Sequence, residues 1–174
     1  MRSYAGVGAR ATPSNILSIM EGVGVCNALG KNKNNQVLQL RSGGAQGADS
    51  AFEKGCDSIN GPKQIFRPQD KIPKWCYEMV TEYCTEAPLS RMKPFVQNLL
   101  ARNMMQILGP NGDDPVKYVM LWVPGPDACA SGMGGTRYAA RCAADHNIPI
   151  LNLYNNELRR RVKATTEKFY ETFM

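Results

Sequence analysis

Short apolar runs alternate along the chain with segments in which apolar residues recur every three or four positions. The runs predict buried strands, and the periodic segments predict amphipathic helices. We expect strands at residues 3–7, 37–40, 64–66, 118–123 and 148–153. We expect helices from 13 to about 29 and at 49–54, 75–84, 99–108, 135–145 and 155–174. This alternation indicates right-handed βαβ units, and therefore a mostly parallel sheet between helices.

Proline and glycine mark several of the predicted helix ends. Thr12-Pro13 predicts a helix start, with Thr12 as the N-cap and Pro13 at the first helical position. Gly55 is expected to close the second helix, because glycine is favoured just beyond a helix end. The segment 67–90 contains several prolines, so we expect irregular structure around its one helix. The pattern leaves open whether this segment forms a lid.

Two glycine-rich turns, at residues 41–49 and 132–136, each lie between a predicted strand and a predicted helix. Glycine permits positive φ and a close approach of the backbone to a ligand, and the following helix directs its free N–H groups to the same place. Parallel sheets bind ligands beyond the carboxyl ends of their strands. The turns therefore predict a pocket for a phosphate-bearing ligand. The residues expected to bind it are Gly8, Arg10, Ser42, Gly43, Gly44, Gly47, Arg102, Asn103, Gly134, Gly135 and Thr136.

Several of these polar residues have two interpretations. Asp49 and Glu53 share one helical face, where they can hold ribose hydroxyls or act as acid and base. Alternatively, Asp49 is a helix cap and Glu53 is solvated. Arg10 either binds a phosphate through bidentate hydrogen bonds or is a surface residue after a tight turn. Arg102-Asn103 is a polar insertion in an apolar helix, which faces either solvent or the pocket.

Composition narrows the function classes. The chain has 43% hydrophobic and 21% charged residues, with apolar runs far shorter than a membrane span and no signal-peptide pattern. We therefore expect a cytoplasmic protein with no membrane partner. None of the six cysteines forms a C-x-x-C pair, and His146 is the only histidine. We expect free, mostly buried thiols, and neither a metal site nor a cofactor.

The net charge of +6 is partly concentrated near the C-terminus. The basic residues there are Arg159, Arg160, Arg161, Lys163 and Lys168, and the apolar residues at helical spacing are Leu158, Val162, Phe169 and Phe173. This pattern predicts an amphipathic closing helix with a solvated basic face. Contact with nucleic acid is the alternative interpretation.

The motifs of common enzymes are missing. Gly6-x-Gly8-x-Arg10 is only a fragment of a dinucleotide fingerprint, without a third glycine or a clearly placed acidic residue for a ribose. The sequence also lacks a nucleophile elbow, a Walker A lysine and a zinc deaminase signature. The residues thus predict phosphate binding without a recognisable reaction centre.

The segments 4–13 and 41–53 resemble the SLOG superfamily, a Rossmann-like group that includes the DprA/Smf recombination mediators and the LOG nucleotide hydrolases. Within it, the chain is most similar to small DprA-like proteins of bacteriophages and prophages. Their Ala-Arg-Asn-x-x-Gln-x-Leu-Gly segment corresponds to Ala101–Gly109, and their Gly-Gly-Thr to Gly134–Thr136. The resemblance implies one Rossmann-like three-layer sandwich over residues 1–174, located in the host cytoplasm if phage-encoded.

The resemblance also implies three activities. LOG enzymes cleave the N-glycosidic bond of nucleoside 5′-monophosphates with an Arg and a Glu, but Ala139 stands at the place of that Glu here, so Asp49 or Glu53 would have to substitute. Other SLOG members bind signalling nucleotides derived from NAD. DprA members bind single-stranded DNA and a recombinase, and related folds commonly dimerise. We expect nucleotide binding first, with hydrolysis, DNA mediation or a pure interaction role as alternatives.

Overall fold

The computed structural model describes residues 1–173, so Met174, the last residue of the predicted closing helix, lies outside the described part. The strands are β1 (Ser3–Gly6), β2 (Gln39–Ser42), β3 (Lys63–Ile65), β4 (Val119–Leu121) and β5 (Ile150–Asn152). The helices are α1 (Ser14–Ala28), α2 (Ala48–Asp57), α3 (Lys74–Tyr83), α4 (Pro94–Leu108), α5 (Thr136–Asp145) and α6 (Asn156–Phe173), with a short 3-10 turn at Leu89–Arg91.

All strands are parallel, in the order β3-β2-β1-β4-β5. The first three strands extend the sheet to one side, and the chain then crosses to the other side of β1 to form β4. Tyr4 of β1 pairs with Leu40 of β2, and Ala5 pairs with Val119 of β4. The carboxyl ends of β1 and β4 therefore form a topological switch point, where doubly wound sheets open a crevice.

Helices cover both faces of the sheet, which confirms the predicted Rossmann-like three-layer sandwich. Along the central strands, successive side chains point to opposite faces. Ala5, Val119 and Leu121 pack in one core with α3, α4 and α5. Tyr4 and Met120 pack in the other core with α1 and α2. Because both of its faces are buried, the central strand β4 is continuously apolar rather than alternating.

The predicted strands and helices are all present, but some of their ends differ. β2 begins at Gln39, and Val37 stays exposed before it. The prediction that Thr12 caps α1 was wrong: Pro13 occupies the N-cap position, and the Thr12 hydroxyl donates to the Ala9 carbonyl (2.6 Å). Thr12 therefore stabilises the turn that precedes α1 rather than the helix itself.

The prediction that Gly55 ends the second helix was also wrong, since α2 continues to Asp57. A Cβ on Gly55 would overlap the carbonyl oxygen of Glu21 in α1 and lie 2.9 Å from its carbonyl carbon. On the facing helix, a Cβ on Gly24 would lie 2.5 Å from the Phe52 carbonyl oxygen. These two glycines let the backbones of α1 and α2 touch.

The segment 67–90 contains the helix α3 between irregular stretches that are mostly exposed or half-buried. Helix α3 buries Cys76, Val80 and Tyr83 against α4 and α5. This helix is consequently a structural part of one helical layer.

The closing helix α6 packs on α1 through Thr166 and Phe169, of which only Phe169 belongs to the apolar spacing. Phe173 differs from this expectation: it is exposed, stacks on Phe169 and lies beneath the Lys31 ammonium. The six cysteines are free thiols, and four of them are buried: Cys26, Cys56, Cys76 and Cys142. Within residues 1–173, no helix is both long and apolar enough to span a bilayer.

Candidate functional site

A cavity of about 370 Å³ opens at the carboxyl ends of β1 and β4. Its walls come from the turn after β1, the start of α2, one face of α4, and the turn that leads into α5. Eight of the predicted site residues line it: Gly8, Arg10, Asp49, Arg102, Asn103, Gly134, Gly135 and Thr136. The lining does not include the other five, namely Ser42, Gly43, Gly44, Gly47 and Glu53.

The first glycine-rich turn already binds an anion from the chain itself. The backbone N–H groups of Gly43 and Ala45 donate to Oδ2 of Asp49, at 3.2 and 3.4 Å. The expectation that these amides form an empty phosphate site is therefore corrected: the carboxylate of Asp49, in the first turn of α2, fills the nest.

Burial raises the pKa of Asp49 to about 6. The positive charge of Arg102 and the backbone hydrogen bonds act in the opposite direction, but the loss of water around the 4% exposed residue outweighs them. Asp49 thus belongs to both the first turn and the cavity lining, and its carboxyl group loses its proton as the pH rises through about 6.

Arg102 is buried in the wall of the cavity, so the polar insertion in α4 faces the pocket rather than solvent. Its Nη1 donates to the Phe66 carbonyl oxygen at 3.1 Å. The Gln106 amide is assigned the orientation that satisfies its neighbours. In this orientation the Gln106 Oε1 atom accepts from Arg102 Nη1 (2.5 Å) and from the Gly43 N–H (3.2 Å). The buried Nε has no acceptor among residues 1–173. Arg102 therefore has one N–H that is buried behind the cavity surface without an acceptor in the described part of the chain.

Glycines of the first turn serve close packing. A Cβ on Gly43 would overlap the Arg102 guanidinium, and a Cβ on Gly47 would lie 2.8 Å from the backbone of Arg10. From the other side, a Cβ on Gly8 would lie 2.7 Å from the Ala48 Cβ. The backbones of the turns after β1 and β2 consequently pack closely, because glycines leave no side chains between them.

Three predicted residues lie away from the cavity. The Ser42 hydroxyl is fully buried and donates to the Gly6 carbonyl at 2.6 Å. Gly44 has φ +67°, and a Cβ there would overlap the Arg67 guanidinium. Glu53 accepts from Lys63 (2.8 Å) and lies 3.8 Å from Arg67. Glu53 therefore points to the β3 side of the sheet, and the structure does not bring it together with Asp49 in one pocket.

The second glycine-rich turn is open. Gly132 and Gly134 have φ of +83° and +63°, and a Cβ on either would meet no atom within 4 Å. No side chain caps α5, which begins at Thr136 after Gly135 in the N-cap position. Asn103 holds this turn by donating to the Gly135 carbonyl at 3.2 Å. Within residues 1–173, the N–H groups of Thr136 and Arg137 have no internal acceptor, whereas that of Tyr138 donates to the Gly135 carbonyl at 3.2 Å. The start of α5 at Thr136 therefore offers free N–H groups beside the cavity, as an anion site requires.

The remaining wall is apolar, and sequence reasoning missed it. Val96, Leu99 and Leu100 of α4 line the cavity together with Met133. Leu99 and Leu100 lie three and four positions after Val96, and Asn103 lies four and three positions after them, on the same face of α4. The helical repeat could therefore have shown that they share a face with the predicted polar residues. Ala139, which stands at the place of the LOG glutamate, is also part of the lining. The cavity combines one apolar side with a cationic, N–H-rich side.

Comparison with known proteins gives a fold and no family. No family model matches the sequence, and no curated protein matches it significantly. Among solved structures, the chain resembles the X-ray structure of DNA processing protein A (DprA) from Streptococcus pneumoniae, with a TM-score of 0.55 and 18% identity. The match covers 87% of this chain and 50% of that one, so the chain spans about half the length of DprA. The chain accordingly has a DprA-like fold.

Proposed function

We propose that the cavity binds a nucleotide through its phosphate. The observation that carries the proposal is the convergence of three positive groups there: the uncapped start of α5 at Thr136, the exposed guanidinium of Arg10, and the buried guanidinium of Arg102. Backbone N–H groups at a helix start attract anions, and a guanidinium matches the geometry of phosphate oxygens. Asp49 is the one carboxylate in the lining, and burial has raised its pKa.

The apolar wall supports a nucleotide over inorganic phosphate. Val96, Leu99 and Met133 offer a surface on which a base can be desolvated, while Asn103 and Gln106 supply polar groups beside it. The volume of about 370 Å³ lies near the lower end of ligand pockets. It therefore favours a mononucleotide over a dinucleotide.

Binding without hydrolysis is the better supported mode. The position of the LOG glutamate is filled by Ala139, whose methyl group has no acid–base function. The carboxylate of Asp49 accepts backbone hydrogen bonds in the first turn, and Glu53 is paired with Lys63 outside the cavity. No other carboxylate of the described residues lines the cavity to support an oxocarbenium-like sugar.

Arg10 provides the direct test. We expect Arg10→Met to weaken binding of adenosine 5′-monophosphate by about 10- to 100-fold, because a charge-assisted hydrogen bond contributes about 1.5–3 kcal/mol. Isothermal titration calorimetry measures the effect, with adenosine as the phosphate-free ligand. Arg10 is exposed, so its replacement should leave the fold intact.

Arg160→Met is the matched control, since Arg160 is an equally exposed arginine of α6 outside the cavity lining. It should bind the nucleotide like the wild type. Equal affinity for adenosine and its monophosphate, or equal weakening by both substitutions, would contradict a phosphate site at Arg10. Release of free adenine would instead support the hydrolytic alternative.

Binding of single-stranded DNA is the second candidate function. It is favoured by the resemblance to DNA processing protein A and by the basic face of α6, on which Arg160, Arg161 and Lys163 are exposed. A backbone phosphate of such a strand can also occupy the cavity beside Arg10.

The DNA candidate has its own signature. Binding of a fluorescent single-stranded oligonucleotide should weaken steeply with salt, and Arg160→Gln/Arg161→Gln should reduce the slope of log K against log salt by about 1–2. Arg159 is left unchanged because it donates to the Leu153 carbonyl at 3.2 Å. Fluorescence anisotropy measures both quantities. An unchanged slope would remove α6 as the contact surface.

A further inference from the structure

A second and larger cavity, of about 660 Å³, lies at the opposite edge of the sheet. It opens between α1 and α6, next to the amino ends of β4 and β5, where Tyr118 and Pro149 precede the strands. Its lining shares no residue with the lining of the nucleotide cavity. The two cavities are separate sites on one domain.

The inner wall of this cavity is apolar. The side chains that form it are Val23, Leu38, Met120, Leu151, Leu158 and Val162. Leu158 and Val162 belong to α6 and are only partly buried, so they present apolar surface to the cavity. A ligand with an apolar body would remove this surface from water, which is favourable in proportion to the area covered.

The rim of the cavity is basic. Lys31, Lys33, Lys117 and Arg161 line it, and the lining contains no Asp or Glu among the described residues. None of the four forms an ion pair within residues 1–173. The Lys117 ammonium donates to the Gln36 amide oxygen at 3.0 Å, so its only hydrogen bond among the described residues is to an uncharged group. Four cations without a counter-charge around an apolar recess favour a ligand that brings an anion with it.

We propose that this cavity binds a small amphiphilic anion, with an aliphatic or aromatic body and a single carboxylate or phosphate. The apolar body occupies the recess beneath α6, and the anionic head lies among Lys31, Lys117 and Arg161. The volume is within the range of small-molecule pockets. This site is independent of the nucleotide cavity and of its proposed function.

Other occupants fit these observations less well. A second copy of the chain docked symmetrically would bring two identical cationic rims together, which is unfavourable. A nucleic-acid strand matches the charge, but single strands bind on exposed aromatic platforms, whereas this recess lies under a helix and its one aromatic side chain among the described residues, Tyr118, is half-buried.

The test uses 1-anilinonaphthalene-8-sulfonate, a fluorescent amphiphilic anion, with the full chain. We expect saturable binding of one molecule per chain, displaced by decanoate or decyl phosphate and far less by uncharged decanol. Whichever of the two anions displaces it at lower concentration identifies the preferred head group. Adenosine 5′-monophosphate should not compete, because it binds at the other edge.

Two substitutions locate the site. Lys117→Gln/Arg161→Gln should weaken binding about tenfold or more through loss of charge-assisted contacts. Thr165→Trp should block it, since Thr165 is an exposed residue in the lining and its replacement leaves the core untouched. Arg160→Gln, on the same helix but outside the lining, should bind like the wild type.

Several results would overturn the proposal. One is the lack of saturable binding, and another is equal displacement by decanol and decanoate. Binding that Lys117→Gln/Arg161→Gln and Thr165→Trp leave unchanged would place the dye elsewhere. Displacement by a single-stranded oligonucleotide but not by decanoate would make the surface a nucleic-acid contact. A dimer in sedimentation velocity that dissociates in Thr165→Trp would make it an interface between two copies.

Discussion

Gly55→Ala should destabilise the protein by about 3 kcal/mol or more, although it adds only one methyl group. The new Cβ would overlap the carbonyl oxygen of Glu21 and lie 2.9 Å from the Glu21 carbonyl carbon. Both atoms are backbone, so no side-chain rotation relieves the overlap, and α1 must move away from α2. Because alanine favours helix more than glycine does, a loss of stability can be assigned to this contact.

Chemical denaturation measures the effect, and Lys54→Ala is the neighbouring control. Lys54 is exposed on the same helix, and its ion pair with Glu21 has a largely solvated ammonium, so we expect a change below about 1 kcal/mol. A Gly55→Ala variant as stable as the wild type would show that the backbones of α1 and α2 are not in contact at this point.

Asp49 should make the stability depend on pH in an unusual direction for a carboxylate. Its pKa is raised from 3.8 to about 6 in the folded protein, so folding favours the protonated form. The stability that this group contributes is complete below pH 4 and is lost as the pH rises through 6. The change corresponds to about 3 kcal/mol, since each factor of ten in the proton equilibrium is worth about 1.4 kcal/mol.

Asp49→Asn isolates this effect, because the amide does not titrate. The free energy of unfolding of the wild type, relative to that of the variant, should fall by about 2 kcal/mol between pH 4 and pH 7, because the carboxyl group of the unfolded chain is already partly ionised at pH 4. Denaturant titrations at several pH values measure it. A difference that stays constant with pH would mean that Arg102 and the backbone N–H groups balance the effect of burial, and one that rises with pH would mean that they outweigh it.

The pH dependence also bears on the proposed ligand. Protonation of Asp49 removes the one negative charge from the cavity lining. A phosphate-bearing ligand should therefore bind more tightly near pH 5.5 than near pH 7.5. The comparison is made after correction for the titration of the ligand phosphate, whose second pKa is also about 6.

The general architecture followed from local patterns. The apolar run at 118–123 predicted a buried parallel strand, the segment 148–153 predicted a last inner strand, and β4 and β5 lie within these ranges. The Gly134–Thr136 turn was predicted at a strand-to-helix junction, and it lies at the switch point of the sheet. Such features depend on residues close in sequence, so the sequence contains the necessary information.

Features that depend on contacts between distant segments were not predictable in this way. Gly55 resembles a helix end until Glu21 of another helix is placed against it. The first glycine-rich turn resembles a phosphate site until Asp49 is seen to accept its N–H groups. The sequence was equally compatible with an Arg102 side chain that faces solvent and with one that faces the pocket. A helical repeat alone does not show which face of a helix packs on the sheet.

The two glycine-rich turns consequently have different roles, although they look alike in sequence. In the first turn, glycine permits tight packing against Arg102 and the loop after β1, and Asp49 fills the N–H nest. In the second turn, the glycines border open space and the start of α5 has no side-chain cap. We therefore assign the proposed phosphate contact to the second turn together with Arg10.

Native mass spectrometry of the full chain tests this account most directly. The protein is incubated with a mixture of nucleoside 5′-monophosphates, an ADP-ribose-like dinucleotide and a short single-stranded DNA, and the bound mass is read. The account predicts one intact mononucleotide per chain, lost in Arg10→Met and retained in Arg160→Met. A bound sugar phosphate with free base would contradict it in favour of hydrolysis, and binding of the DNA alone would contradict it in favour of a nucleic-acid partner.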